Sequence, residues 1–167
     1  MPKTPKAARN SNQIAVLSVG FSKEDNVGLF DIFARSQWSL SPDSEWRLDT
    51  SRTLDSALRV LRDRQVPIVL CERDLEGNSW KDLLEQLTLL PEPPCVIVAS
   101  RLADERLWAE ALNLGAYDVL AKPLDSREVL RVLSSAWLHR EGRGEAADRL
   151  FTTQRPRVAL RSQRGAA

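Results

Sequence analysis

The chain has little of what several function classes need. One His and two Cys stand among 167 residues, with no Cys-x-x-Cys pair, which excludes a zinc-type ligand cluster. No run of about 18 apolar residues is present to cross a membrane. The amino terminus carries Pro, Lys and Asn where a signal peptide would need an apolar stretch, so a cytoplasmic location is expected. In that reducing compartment Cys71 and Cys95, each inside an apolar run (IVLC and CVIVAS), read as small buried hydrophobes rather than as a disulfide. No internal repeat is visible. Net charge is nearly absent too, at +1, but it is unevenly spread. Residues 1–10 carry Lys3, Lys6 and Arg9 with no acid, and residues 140–167 carry seven Arg against Glu141, Glu145 and Asp148, which leaves the middle at −6. The body is acidic and both ends are basic. The length suits one domain with a real core, not two.

What is present is a regular alternation of strand and helix signals. Ile14 to Val19 is apolar and β-branched and stops at Gly20, Phe21 and Ser22, which predicts a buried first strand. Val27, Phe30 and Ala34 recur at helical spacing, with Ile32 and Phe33 widening the stripe up to Trp38. A loop from Ser39 to Glu45 precedes a short, half-exposed second strand from Trp46 to Thr50. Leu54, Ala57, Leu58 and Leu61 fall at i, i+3, i+4 and i+7 of a second helix. Ile68 to Cys71 is a third strand, and Ser79-Trp80-Lys81-Asp82 has the spacing of a capping box ahead of Leu83, Leu84 and Leu87. Cys95 to Ala99 is the fourth strand. Leu107, Ala111 and Leu114 form one helical stripe ended by Gly115, and Val119, Leu120 and Ala121 form the fifth strand. Asp125 and Glu128 cap a last helix with Val129, Val132, Leu133, Ala136 and Trp137 on one face. Five β-α units in succession require a parallel sheet with helices on both faces. From Glu141 on, Gly, Arg, Ala, Gln and Ser dominate without period. The expected division is a basic arm over 1–11, an α/β domain over 12–140 and a mobile basic tail over 141–167.

The stretch ALNLGAYDVLAKP, residues 111–123, is the most informative. Lys122 emerges at a strand's carboxyl end, the edge at which open α/β sheets build their sites, and Pro123 removes a ladder donor and ends the strand. This stretch resembles the last block of the receiver domains of two-component response regulators. The resemblance covers roughly residues 12 to 139. It implies a doubly wound, five-stranded parallel sheet of strand order 2-1-3-4-5, receiver or flavodoxin-like, and a bacterial signalling role.

The resemblance also implies a phosphoryl site at the carboxyl ends of four strands. An acidic pair after strand one binds Mg²⁺, and an Asp ending strand three accepts phosphate. A Ser or Thr ending strand four and a Lys ending strand five hold the phosphoryl oxygens, while an aromatic on strand five rotates with the change. Here Ser100 and Lys122, followed by Pro123, stand at the phosphoryl-pocket positions. Glu72 replaces the acceptor Asp, Gly20 and Phe21 replace the acidic pair, and Val119 replaces the switching aromatic. Glu72 is one methylene longer than Asp, so its carboxylate either imitates a permanently modified acceptor or simply pairs with Lys122. Glu24 and Asp25 are possible substitutes as Mg²⁺ ligands. However, Ser22-Lys23-Glu24-Asp25 also has capping-box spacing, and a helix dipole favours carboxylates in a first turn.

The expected function is that of a stand-alone, degenerate, non-enzymatic receiver that works in signal transduction by protein-protein contact without phosphorylation. Glu72, Lys122 and Ser100 would hold it in one state, with no metal and no cofactor. Its expected partner is a histidine kinase or other signalling protein, or a second copy met through the fourth helix and fifth strand. Trp108, Leu112 and Tyr117 mark that surface, Trp108 and Leu112 lying about 100° around the helix from the Leu107 stripe. His139 is expected to end the last helix, solvated. One alternative is a phosphorylatable regulator of a phosphorelay that holds Mg²⁺ through Glu24 or Asp25. The other is a nucleic-acid-associated protein acting through its basic ends, which lack a reading motif. A flavin protein of the same topology is disfavoured by Lys23, Glu24 and Asp25 in the loop where a flavin phosphate would need donors.

Overall fold

A computed structural model describes residues 13–36 and 44–153. The elements run β1 (Gln13–Val19), α1 (Lys23–Arg35), β2 (Glu45–Ser51), α2 (Leu54–Asp63), β3 (Ile68–Glu72), β4 (Asp74–Leu75), β5 (Asn78–Ser79) and α3 (Trp80–Leu87). They continue with β6 (Cys95–Ser100), α4 (Glu105–Leu114), β7 (Asp118–Ala121) and α5 (Ser126–Thr153). Five parallel strands form the sheet in the order β2-β1-β3-β6-β7, which is 2-1-3-4-5 when sheet strands alone are counted. A two-residue antiparallel hairpin, β4-β5, stands apart from it.

Strand period divides the core in two. Successive side chains point to opposite faces, so Leu17, Val19, Val69, Cys71, Val96 and Val98 meet α2, α3 and α4 on one side. Val16, Ile68, Leu70, Ile97 and Ala99 meet α1 and α5 on the other. Both faces are covered, which is why β1, β3 and β6 are apolar without alternation. Local chemistry fixes the helix ends. Thr53 and Ser79 close reciprocal capping boxes on α2 and α3, each cap contributing about 1 kcal/mol. Gly115 ends α4 at φ 101°, a left-handed conformation that glycine adopts without a Cβ penalty.

Three expectations need correction. The core stripe of α1 is Leu29 with Ile32 and Phe33, whereas Val27, Phe30 and Ala34 face solvent. Two apolar stripes share this helix, and the one containing Leu29 meets the sheet. Leu114, the last residue of α4, is exposed rather than part of the core stripe. Finally, α5 does not stop near residue 140 but runs to Thr153. Glu145, Ala146, Ala147, Arg149 and Leu150 are good helix formers that carry the helix past Gly142 and Gly144. Residues 141–153 are therefore helical, and His139 lies within the helix rather than at its end. The expectations for residues 1–12, for Trp38 and most of its loop, and for 154–167 fall outside the described residues. Among the described residues no helix is long and apolar enough to cross a membrane.

Candidate functional site

At the carboxyl edge of the sheet, Glu72 is the last residue of β3, Ser100 the last of β6, and Lys122 follows β7 directly. Pairing of Glu72 with Ala99 and of Ser100 with Ala121 brings these ends level. The ladder continues one step further, as the Lys122 amide donates to the Ser100 carbonyl at 2.9 Å. Gly20 and Phe21 follow β1, with the Gly20 amide on the Ser51 carbonyl at 2.9 Å.

The centre of the site is the Lys122 ammonium. Its side chain is only 6% exposed, and its Nζ donates to Glu72 Oε2 and, at 2.7 Å, to Asp25 Oδ2. The same nitrogen lies 4.6 Å from the centroid of the buried Phe21 ring. Burying an ammonium costs several kcal/mol, and two carboxylates with an aromatic face offset that cost better than one carboxylate alone. For Asp25, burial pulls the carboxyl pKa upward. The bond to Lys122, its charge, the bond to Ser22 and the charge of Arg101 outweigh burial and hold the pKa below its ordinary value.

Asp25 is the residue whose part differs most from the sequence-based reading. Ser22 caps α1 by accepting from the Asp25 amide at 3.1 Å, but the Asp25 carboxylate does not complete a capping box on the Ser22 backbone amide. It crosses to Lys122 instead. Glu24, one residue earlier, is exposed and contacts none of these groups among the described residues. Phe21, unsuited to a metal ion, instead receives the ammonium on its ring face. Asn26 braces the loop, accepting from the Ser18 hydroxyl at 2.6 Å.

The Gly20 position is closed by a residue that no motif position marks, Leu75. Gly20 has φ 78°, and a Cβ built on it would collide with Leu75 Cδ2 and lie 3.3 Å from Glu72 Cβ. Leu75, on the hairpin after Glu72, is 7% exposed and fills this corner. The signal available in the sequence was an apolar residue between charged ones just before the Glu76-Gly77 turn. The corner where the fold family holds a divalent cation thus presents Leu75, Phe21 and an ammonium. The two carboxylates present, Asp25 and Glu72, are both bonded to Lys122, and this set does not fit Mg²⁺, which requires closely placed free oxygens.

Ser100 is buried, and its hydroxyl accepts from the Leu102 amide at 3.1 Å rather than joining Glu72 or Lys122. Val119 is buried under α4, and Pro123 is exposed beyond the strand. Among the described residues no group of three or more His, Cys, Asp or Glu is placed to hold a metal ion.

On the flank formed by α4, β7 and α5, Trp108 is half exposed and its indole Nε1 donates to Asp118 Oδ1 at 3.2 Å. Leu112 is exposed beside it. Tyr117 is partly buried against the α5 side of the core, its hydroxyl 2.6 Å from Ser135 Oγ and its ring 5.3 Å from that of His139. Arg143 Nε donates to His139 Nε2 at 2.9 Å.

Comparison with known proteins agrees with this architecture. A family model for the response regulator receiver domain matches residues 31–134. The comparison with curated proteins gives no match. Among solved structures, the chain is similar to the signal receiver domain of an HD domain-containing protein from Pseudomonas fluorescens Pf-5, at 23% identity and TM-score 0.66, covering 78% of this chain and 99% of that one. It is also similar to a putative response regulator from Chloroflexus aurantiacus J-10-fl, at 15% identity and TM-score 0.65, covering 75% and 98%. A third is the beryllofluoride-activated NtrC4 receiver domain dimer, at 18% identity and TM-score 0.65, covering 75% and 98%.

Proposed function

Since the chain belongs to the response regulator receiver family, whose members act in signal transduction, we propose that it is a degenerate receiver, signalling by protein-protein contact without a phosphorylation cycle. The observation that carries this reading is the Lys122 ammonium clamped between Glu72 and Asp25 over the Phe21 ring. In a phosphorylatable site that ammonium would meet an incoming phosphoryl group. Here it is already satisfied by the protein's own carboxylates, and a phosphoryl anion would have to displace them. The carboxylate at the acceptor position is neutralised by the same contact, and a corner of Leu75, Phe21 and an ammonium does not suit a cation that would offset charge during transfer.

The moving parts are reduced as well. The Ser100 hydroxyl is held by its own loop, and a buried Val119 has no ring to swing between poses. Asp25 stands in the lock where Ser100 was expected. Glu72 with Lys122 and Asp25 acts as a permanent substitute for a charged acceptor, and the protein stays in one state. It uses no metal and no cofactor. The partner is a signalling protein, a histidine kinase or a second copy of the chain, met on the flank of Trp108 and Leu112. An exposed Trp held by a hydrogen bond is ordered before contact, as binding residues at interface centres are.

The test is incubation with acetyl phosphate and Mg²⁺ followed by intact-mass measurement. No phosphoryl adduct is expected. An adduct that disappears in Glu72→Ala would overturn the reading.

A further inference from the structure

At the opposite edge of the sheet, where the strands begin, lies an open groove of about 1260 Å³. Ile14, Val66 and Leu90 contribute apolar floor, and Trp137 forms part of one wall. The lining carries Arg47, Arg62, Arg64 and Arg140 against two acids, Asp63 and Glu92. In a body that carries −6 over residues 11–139, this is a local reversal of charge.

The carboxyl end of α2 explains cations near Arg62 and Arg64, because the helix dipole is negative there. It does not explain Arg47, which projects from strand β2. Nor do the acids in place use up these groups. Asp49 Oδ2 serves two guanidinia at once, at 2.9 Å from Arg47 and 3.8 Å from Arg64. Glu92 lies 3.8 Å from Arg140, which also donates to the Pro93 carbonyl at 2.7 Å. Among the described residues Arg62 is exposed without an acidic partner, and Arg64 reaches Asp49 only at 3.8 Å. Donor capacity is left over at the rim above an apolar floor.

We propose that this groove binds an extended acidic segment of a partner protein in which Asp or Glu side chains flank apolar ones. The guanidinium fork matches a carboxylate in two-point contact, and the floor takes the apolar side chain between. An open groove of this volume exceeds the usual pocket of a small ligand. A nucleic-acid strand fits less well. It would need a continuous basic track with several stacking aromatics, whereas the wall offers Trp137 alone. The groove lies at the edge away from Glu72 and Lys122, so the inference stands independently of the state of that site.

The experiment is fluorescence anisotropy of the full chain with a labelled peptide of alternating glutamate and leucine. A glutamine-leucine peptide and an oligothymidylate of equal length serve as comparators. Saturable binding that weakens as salt rises is expected, with the glutamine peptide at least about tenfold weaker. Arg62→Glu/Arg64→Glu should lose at least about tenfold while keeping its circular dichroism, since exposed Arg pairs contribute modestly and reversal turns attraction into repulsion. Arg47→Ala should lose severalfold, and Glu24→Gln at the far edge should bind normally. No saturable binding, equal affinity for the glutamine peptide, or tighter binding of the oligothymidylate would overturn the proposal. Undiminished binding after the Arg62 and Arg64 reversal would place the contact on the basic ends and overturn it equally.

Discussion

Replacing Lys122 by Met tests the construction of the site, because Met keeps the apolar stem and removes only the charge. The change would leave Glu72 and Asp25, 19% and 23% exposed, as two carboxylates without the ammonium that joins them. Breaking a buried ion pair by removing one partner costs roughly 3–5 kcal/mol. Both carboxylates keep some contact with water, so the loss belongs near the lower end, about 3 kcal/mol, or on the order of 10 °C in Tm for a domain of this size. Removing the carboxylates as well, in Lys122→Met/Glu72→Met/Asp25→Asn, should recover more than half of that loss, since no charge is then left unpaired. Urea unfolding of the single variants and the triple variant measures this. If the single losses simply add, to within about 0.5 kcal/mol, the three residues do not act as a unit and the description of the clamp is wrong.

Other outcomes follow from the same geometry. Gly20→Asp, which restores an acid at the first position after β1, should destabilise by about 3 kcal/mol in thermal unfolding, through its positive φ and the collision with Leu75; a neutral effect would show that Leu75 does not close that corner. The folded-state pKa of Asp25 is held below its ordinary value, so its stabilising contribution is present above the unfolded value, near pH 4, and is lost as pH falls through the folded one. Acid titration of stability below about pH 4 should therefore be steeper in the wild type than in Lys122→Met, and equal slopes would contradict the pairing. Burial pushes both thiols up, Cys71 with a further push from the Glu72 charge, so neither should react with a disulfide reagent until the chain is unfolded. Rapid labelling of the native protein would contradict the core packing.

The readability of the sequence followed the locality of the forces. Capping chemistry acts within four residues, and the Ser79 box and the Gly115 stop were both legible from spacing alone. The parallel sheet was legible because five β-α units in succession require one; its strand order came from the resemblance of residues 111–123 to receiver domains, and with that order strand ends on one edge bring Glu72 and Lys122 together. Asp25 was not legible. Its backbone fills the capping position that Ser22-Lys23-Glu24-Asp25 advertises, and nothing in the spacing reveals that its carboxylate instead reaches a lysine 97 residues away. Phe21 read as a lost metal ligand because the sequence could not show an ammonium above its ring. The inner face of α1 was misassigned since two apolar stripes fit the same helical period, and only the sheet beneath decides between them. The length of α5 was missed where two glycines interrupt otherwise good helix formers.

The central claim is that the phosphoryl position is already occupied by the protein's own charges. Titration with fluoroberyllate and Mg²⁺, followed by ¹H–¹⁵N correlation spectra, tests it most directly. The account predicts no saturable shifts at the amides of Glu72, Ser100 and Lys122, and none along β7 and α4. Saturable shifts at these amides that require both Mg²⁺ and fluoroberyllate would contradict it, because the clamp would then have opened to admit a phosphoryl mimic.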